Sequence, residues 1–150
     1  MPTPRSPTPR WQPIASLPLI ACVIDGQLET AEEQHRLLLQ AQPGSLDDAT
    51  VERVVRVFTE EVDLLAVYDE QLGRWRSGPM TGAQRREVER LSGQLARNRD
   101  VDAAILTLAE NLKATTIDAI LAKSDLELGL EALTGRSPLF PRDPPRPPQP

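Results

Sequence analysis

The sequence is poor in the residues that build most catalytic and metal centres. It contains one cysteine and one histidine, and its aromatic residues are two Trp, two Phe and one Tyr. A single cysteine excludes an intrachain disulfide and any metal site that needs several cysteines from one chain. With so few aromatic side chains, the core has to be built from Leu, Val, Ile and Ala, which suits packed helices.

Proline is nearly absent from the middle of the chain. Of the 15 prolines, only Pro43 and Pro79 lie between residues 19 and 137. Because proline interrupts helix interiors, regular structure is expected between these points, and both proline-rich ends are expected to bury little. The predicted organisation is a flexible proline-rich leader at residues 1–13, a single helical domain at 14–135 and a flexible proline-rich tail at 136–150.

The chain has a formal net charge of −5, and the acidic excess lies in residues 14–135 because each proline-rich end is net basic. An acidic body argues against extensive binding to nucleic acid or to an anionic membrane surface. No apolar run approaches the roughly 18 residues of a membrane span. We therefore expect no membrane span and a cytoplasmic location.

One segment resembles a targeting signal. Leu19, Ile20, Ala21 and Cys22 have the form of a bacterial lipoprotein cleavage box. The apolar stretch before the cysteine is short and broken by proline, and the apolar pattern continues past it into the next helix. A core helix is the favoured interpretation, and a lipoprotein signal is the alternative.

Residues 51–76 carry the strongest helical pattern and are predicted to be the central helix of the fold. Two neighbouring rows of apolar residues cover about half of its circumference, wider than the roughly 100° stripe of an ordinary surface helix. The first row is expected to face two other helices. The second row is predicted to leave part of its surface for a partner, and the final helix is expected to cover about two of its turns. This second row consists of Val57, Leu64, Tyr68 and Trp75.

The other helices are placed by their breaks and caps. A first helix is predicted over residues 17–41, and the central helix is expected to be capped by Ser45, Asp47 or Asp48. Thr81 is predicted to open a third helix that extends to about residue 123, either continuous or broken at residues 98–100. A capping box at Ser124 predicts a short final helix over residues 125–134.

No strand alternation and no internal repeat are visible in the sequence. The predicted fold class is therefore all-α: an antiparallel helical bundle of three to four helices with disordered proline-rich termini.

Polar residues interrupt the apolar stripes at His35, Asp69, Asn98 and Asp102. If neighbouring helices are antiparallel, His35 and Asp102 lie at about the same height, which predicts a buried polar pair that would fix helix register. Glu32 and His35 also have the Glu-x-x-His spacing of di-iron bundles, although only a symmetric dimer would supply enough ligands. We therefore predict no metal, no cofactor and no catalytic residue, and keep a dimeric metal-binding bundle as an alternative.

Arginines are concentrated between residues 74 and 99. Arg86, Arg90 and Arg97 fall on one polar face, which would suit contact with an anion such as a phosphate backbone. No recognition motif accompanies these charges. An accessory nucleic-acid role is therefore an alternative that the sequence does not favour.

Taken together, these patterns predict a non-enzymatic helical protein with an interaction, scaffold or regulatory role. We expect it to self-associate or to bind another helical protein.

Overall fold

The computed structural model describes residues 8–134, and these residues are almost entirely helical. No strand occurs among them, which confirms the all-helical class. The first seven residues of the predicted leader and the predicted tail at 136–150 lie outside the described residues. The elements are a 3₁₀ turn at Ile14–Ser16, α1 at Leu17–Leu39, α2 at Asp48–Arg76, α3 at Gly82–Leu112, a 3₁₀ turn at Lys113–Thr115 and α4 at Ile117–Thr134.

The beginnings of α2 and α3 are fixed by side-chain caps. Asp47 accepts a hydrogen bond from the Thr50 amide at 2.8 Å, which confirms it as the cap of α2. Thr81 and Gln84 form a reciprocal capping box at α3, with bonds of 3.1 and 2.9 Å. Each cap satisfies amide groups that the first turn of a helix leaves without a partner.

The helix in the middle of the fold is α3. It packs against both α1 and α2, whereas α1 and α2 scarcely approach one another. The prediction that α2 occupies the centre is therefore wrong. The physical reason is that the buried stripe of α3 faces both neighbours, so that Val88, Leu91 and Leu95 share one core cluster with residues of α1 and α2.

The ion pairs between helices show the directions in which the helices run relative to one another. Asp25 pairs with Arg90, and Glu32 pairs with Arg97, so α1 and α3 run parallel. On the other side of α3, Arg76 pairs with Glu89 and Asp69 pairs with Arg99, each at 3.2 Å, so α2 and α3 run antiparallel.

The end of α3 differs from the sequence-based expectation. The helix is continuous through residues 98–100, because Asn98 is fully buried and takes part in packing rather than in a cap. The break comes instead at Lys113–Thr116, and the Thr116 hydroxyl accepts a hydrogen bond from the Ala119 amide at 3.1 Å. The predicted helix start at Ser124 is wrong, since α4 already passes through that position.

The core consists of two apolar clusters, one toward each end of the three packed helices. We call the cluster that contains Phe58 and Ile105 the upper cluster, and the cluster that contains Leu72 and Leu91 the lower cluster. Fully buried polar residues of α3 lie between them in sequence, at Asn98 and Asp102. A polar layer therefore separates the two apolar halves of the core.

The last residues of the leader pack against the C-terminal part of α2. The Gln12 amide donates to the Gln71 side chain at 2.7 Å, and the Gln12 carbonyl accepts from the Trp75 indole at 3.0 Å. The guanidinium of Arg74 lies 4.1 Å from the centre of the Trp11 ring. The contacts of the helical domain thus begin before residue 14, earlier than predicted.

These contacts predict that the leader stabilises the domain. Removing residues 1–13 is expected to lower the melting temperature by about 3–6 °C more than removing residues 1–9, because only the longer deletion leaves the Trp75 indole without its acceptor. Thermal unfolding followed by circular dichroism measures the difference. Equal melting temperatures for the two deletions would show that these hydrogen bonds contribute nothing to stability.

Candidate functional site

The polar layer consists of Glu61 on α2 with Asn98 and Asp102 on α3. Asn98 and Asp102 are fully buried and lie one helical turn apart, and Glu61 is half-buried. Both carboxylate oxygens of Asp102 are buried without a hydrogen-bond partner in the described part of the chain, and Glu61 and Asn98 lie next to each other beside Asp102. Buried polar groups are rarely left unsatisfied, so this layer is the most unusual feature of the core.

Burial shifts the protonation of both carboxyl groups in the same direction. Burial raises the pKa of Asp102 to about 7, and the neighbouring Glu61 carboxylate contributes in the same sense. Burial also raises the pKa of Glu61, which the nearby Asn98 amide partly offsets. Two carboxyl groups that disfavour each other's charge form a site that would be stabilised by a proton or by a cationic group.

A groove runs beside this layer because α1 and α2 are held apart by α3. Two adjoining hollows of about 450 and 260 Å³ lie between the two helices, and Thr30 and Glu61 line both. Gly26 contributes to the opening, since it has no side chain and nothing lies within 4 Å of the position where a Cβ would be. We call this feature the α1–α2 groove. The residues that line it include Cys22, Val23, Thr30, Val57, Phe58 and Glu61.

His35 and Asp102 are not joined by a hydrogen bond or an ion pair, so the structure does not form the predicted polar pair. His35 lines a different hollow, together with Ala103 and Ala104 of α3. The predicted height was therefore close, but successive helical residues point about 100° apart. Asp102 is instead close to Glu61 of α2.

The alternative metal site receives no support from the described residues. No group of three or more His, Cys, Asp or Glu side chains among them is arranged to hold a metal ion. Glu32 forms an ion pair with Arg97, so the carboxylate of the Glu-x-x-His spacing already has a cationic neighbour.

The arginine face is partly neutralised by the protein's own carboxylates. Arg90 donates to both oxygens of Asp25 at 2.8–2.9 Å and also to Glu87. These contacts lower the pKa of both carboxyl groups. Arg97 pairs with Glu32, whereas Arg86 is exposed and forms no ion pair within residues 8–134. A phosphate backbone would have to compete with these internal pairs.

The predicted interface row on α2 is divided by the structure. Trp75 is only 6% exposed and belongs to the core, and Tyr68 is half-buried against the same cluster. Val57 and Leu64 are exposed, and Val57 also lines the α1–α2 groove. The aromatic end of the row is therefore occupied by internal contacts, while its aliphatic members remain open.

The most exposed apolar surface lies on α4. The helix contacts the rest of the described chain mainly through its first turn, and none of residues 120–130 is buried. The sequence-based expectation was that this helix covers part of the second apolar row of α2, and the structure does not show that contact. Its exposed large apolar residues include Ile117, Ile120, Leu121, Leu126, Leu128 and Leu133.

The base of α4 is held firmly by the loop between α1 and α2. Gly44, with a positive φ of 78°, donates its amide to the Thr115 carbonyl at 2.7 Å. The Ile117 amide donates to the Leu46 carbonyl, and the Asp48 amide donates to Asp118, each at 2.8 Å. These bonds fix the point at which α4 leaves the three packed helices.

The segment Ile14–Leu39 is long and apolar enough to cross a membrane by length and composition, with a mean hydropathy of 1.3 over its best window. A signal sequence and the core helix of a soluble protein both pass the same test. Leu17, Ala21 and Ile24 are buried in the lower cluster, which is the behaviour of a core helix, and Cys22 is exposed. The expected absence of a membrane span stays a prediction.

Comparisons of this chain with known protein families, with curated proteins and with solved structures find no match. Function therefore has to be argued from the site alone. Sequence reasoning identified Asn98 and Asp102 but missed Glu61, although that residue lies within the apolar stripe, one turn from both Phe58 and Leu65. A charge within such a stripe was the available signal.

Proposed function

We propose that the protein is a non-enzymatic helical interaction protein that self-associates through α4. The observation that carries this proposal is the exposed apolar surface of α4. Leu126 is 65% exposed and Leu133 is 86% exposed, and they belong to a helix that contacts the rest of residues 8–134 mainly through its base. Large contiguous apolar surfaces on soluble proteins usually mark interaction sites.

The stability of α4 supports the same conclusion. The helix has 18 residues, and tertiary hydrogen bonds fix its base. Most of the stability of helices in proteins comes from packing of an apolar face rather than from intrinsic propensity. A partner surface would supply that packing and remove the leucines from water.

The proposal predicts that acidic substitutions on α4 prevent association. Leu126→Glu combined with Leu128→Glu places charges on two different sides of the helix and is expected to convert the protein to a monomer. Size-exclusion chromatography with light scattering, over roughly 1–100 μM protein, measures the molecular mass. Apolar interfaces lose most of their affinity when a buried leucine becomes a charge.

Leu39→Glu is the matched control, since Leu39 is 63% exposed and lies on α1, on the side that faces away from the α1–α2 groove. This variant is expected to keep the oligomeric state of the wild type. A wild type that is monomeric throughout the concentration range would refute self-association. Equal loss of association in the control would place the interface elsewhere.

A further inference from the structure

The chemistry of the α1–α2 groove is apolar with a carboxylate in its middle. Val23 lines one hollow, Val57 and Phe58 line the other, and Glu61 lies where the two meet. Beside Glu61, the carboxylate of Asp102 is completely buried and unpartnered within residues 8–134. The groove thus has apolar side chains on both sides of Glu61, which forms no ion pair within residues 8–134, and Arg53 and neutral polar side chains complete its lining.

Although α4 carries more acidic than basic residues, one of its faces has the chemistry that complements this groove. Lys123 is the only basic residue between Ile117 and Thr134. It is exposed and forms no ion pair among the described residues. Ile120 precedes it by three residues and Leu126 follows it by three, so the three side chains share one face of the helix. Along that face, a cationic side chain therefore lies between two apolar side chains.

We propose that the α1–α2 groove receives α4 from a second copy of this chain, with Lys123 placed next to Glu61. This inference rests on the proposed self-association and specifies its geometry. Two copies exchange their α4 helices around a twofold axis, so each groove is filled by the helix of the other copy. Each half of the dimer then contains four packed helices, three from one chain and one from its partner.

The dimensions of the two surfaces agree. The groove extends along α1 from Cys22 to Gln34. At 1.5 Å per residue this corresponds to about 18 Å, and the 18 residues of α4 extend about 27 Å. The helix is therefore long enough to fill the groove, and Lys123 lies close enough to its middle for apolar turns to remain on either side.

A second copy is favoured over the chain's own α4 because the base of α4 is fixed. Hydrogen bonds that involve Gly44, Leu46 and Asp48 hold the base of α4 against the loop between α1 and α2. From that fixed base, no described residue of α4 lines either hollow, and residues 120–130 of the helix are exposed. The helix of a partner can enter without breaking these bonds.

The proposed ion pair also accounts for the unsatisfied polar layer. An ammonium group brings three donors, and the layer offers the carboxylate acceptors of Glu61 and Asp102. An ion pair within an apolar interface mainly fixes register and partner choice, because mismatched charges are strongly disfavoured there. Lys123 would set the position of α4 along the groove.

Charge reversal tests the pairing between copies. Lys123→Glu alone and Glu61→Lys alone each place like charges at both sites of a homodimer, and each is expected to weaken dimerisation about tenfold or more. An equimolar mixture of these two variants is expected to recover dimerisation through the groove in which the two reversed charges meet. Analytical ultracentrifugation of the separate and mixed proteins measures this, and circular dichroism confirms that each variant is folded.

The outcomes separate this inference from the proposed function. A wild-type dimer that is broken by the α4 leucine variant, but unaffected by either charge reversal, would keep self-association and overturn the groove pairing. Weakened single variants that fail to recover on mixing would equally overturn the exchange between copies. A wild type that never dimerises would refute both proposals.

Discussion

Replacing Asp102 by Asn stabilises the protein above pH 7, by an amount on the order of 2 kcal/mol. Asp102 is fully buried without a hydrogen-bond partner among the described residues, and its pKa is raised from 3.8 to about 7. At pH 8 the folded protein therefore has to hold this carboxylate in its charged form inside the core. The neutral amide of the substituted side chain has nearly the same shape as the carboxylate and avoids that cost.

The direction of the pH dependence follows from the same shift. Between about pH 4 and pH 7 the folded state holds a proton on Asp102 that the unfolded chain releases, so the stability of the wild type falls as pH rises through this range. Asp25 and Glu87 have lowered pKa values because of Arg90, and their contribution is lost as the pH falls below about 4. Stability should therefore be greatest at mildly acidic pH.

Urea unfolding at pH 5 and pH 8 measures both effects. The Leu126→Glu/Leu128→Glu background keeps association from contributing to the measured free energy of unfolding. Asp69→Asn is the control, since Asp69 is exposed and paired with Arg99, and surface pairs of this kind contribute at most about 1 kcal/mol. An Asp102→Asn variant with the pH dependence of the wild type would show that the carboxylate is solvated or paired in solution.

Replacing Leu95 by Ala is expected to destabilise the protein by about 3 kcal/mol. Leu95 is fully buried on α3, in the cluster to which α1 and α2 both contribute. Truncation therefore removes packing against both neighbouring helices at once and leaves a cavity. Leu133→Ala removes the same atoms from a side chain that is 86% exposed and should change stability by less than about 0.5 kcal/mol.

Chemical denaturation of these two variants, at a concentration where the protein is monomeric, gives the comparison. Similar losses for Leu95→Ala and Leu133→Ala would contradict the central position of α3. A loss below about 1 kcal/mol for Leu95→Ala alone would mean that the neighbouring helices close the cavity by moving.

The helical class and the starts of α2 and α3 could be predicted because they depend on local signals. The break around Pro43 and the capping residues Asp47 and Thr81 act within a few residues of chain. The continuity of α3 could not be predicted in this way. Asn98 has a local preference for a helix cap, but its burial between α3 and its neighbours overrides that preference.

The candidate site was predicted only in part, because helical periodicity shows which residues share a face and not which neighbour covers that face. Asp102 was correctly expected to be buried, but its neighbour is Glu61 rather than His35. Trp75 was expected at an interface, yet the leader residue Gln12 accepts its indole hydrogen bond. Both outcomes depend on how the helices are rotated and on contacts between distant residues.

The separation of α1 from α2 has a consequence for how the chain acquires its structure during synthesis. The turn between Arg76 and Gly82 lets α2 and α3 pair as a local hairpin, whereas the bond between Asp25 and Arg90 spans 65 residues. At a translation rate of about 5–20 residues per second, the surface of α3 that packs against α1 is synthesised roughly 3–13 s after α1 itself. Its apolar residues, among them Leu17 and Ile24, are exposed to the cell throughout that interval. The nascent chain is thus most vulnerable to aggregation and most accessible to chaperones at its first helix, before the central one has left the ribosome.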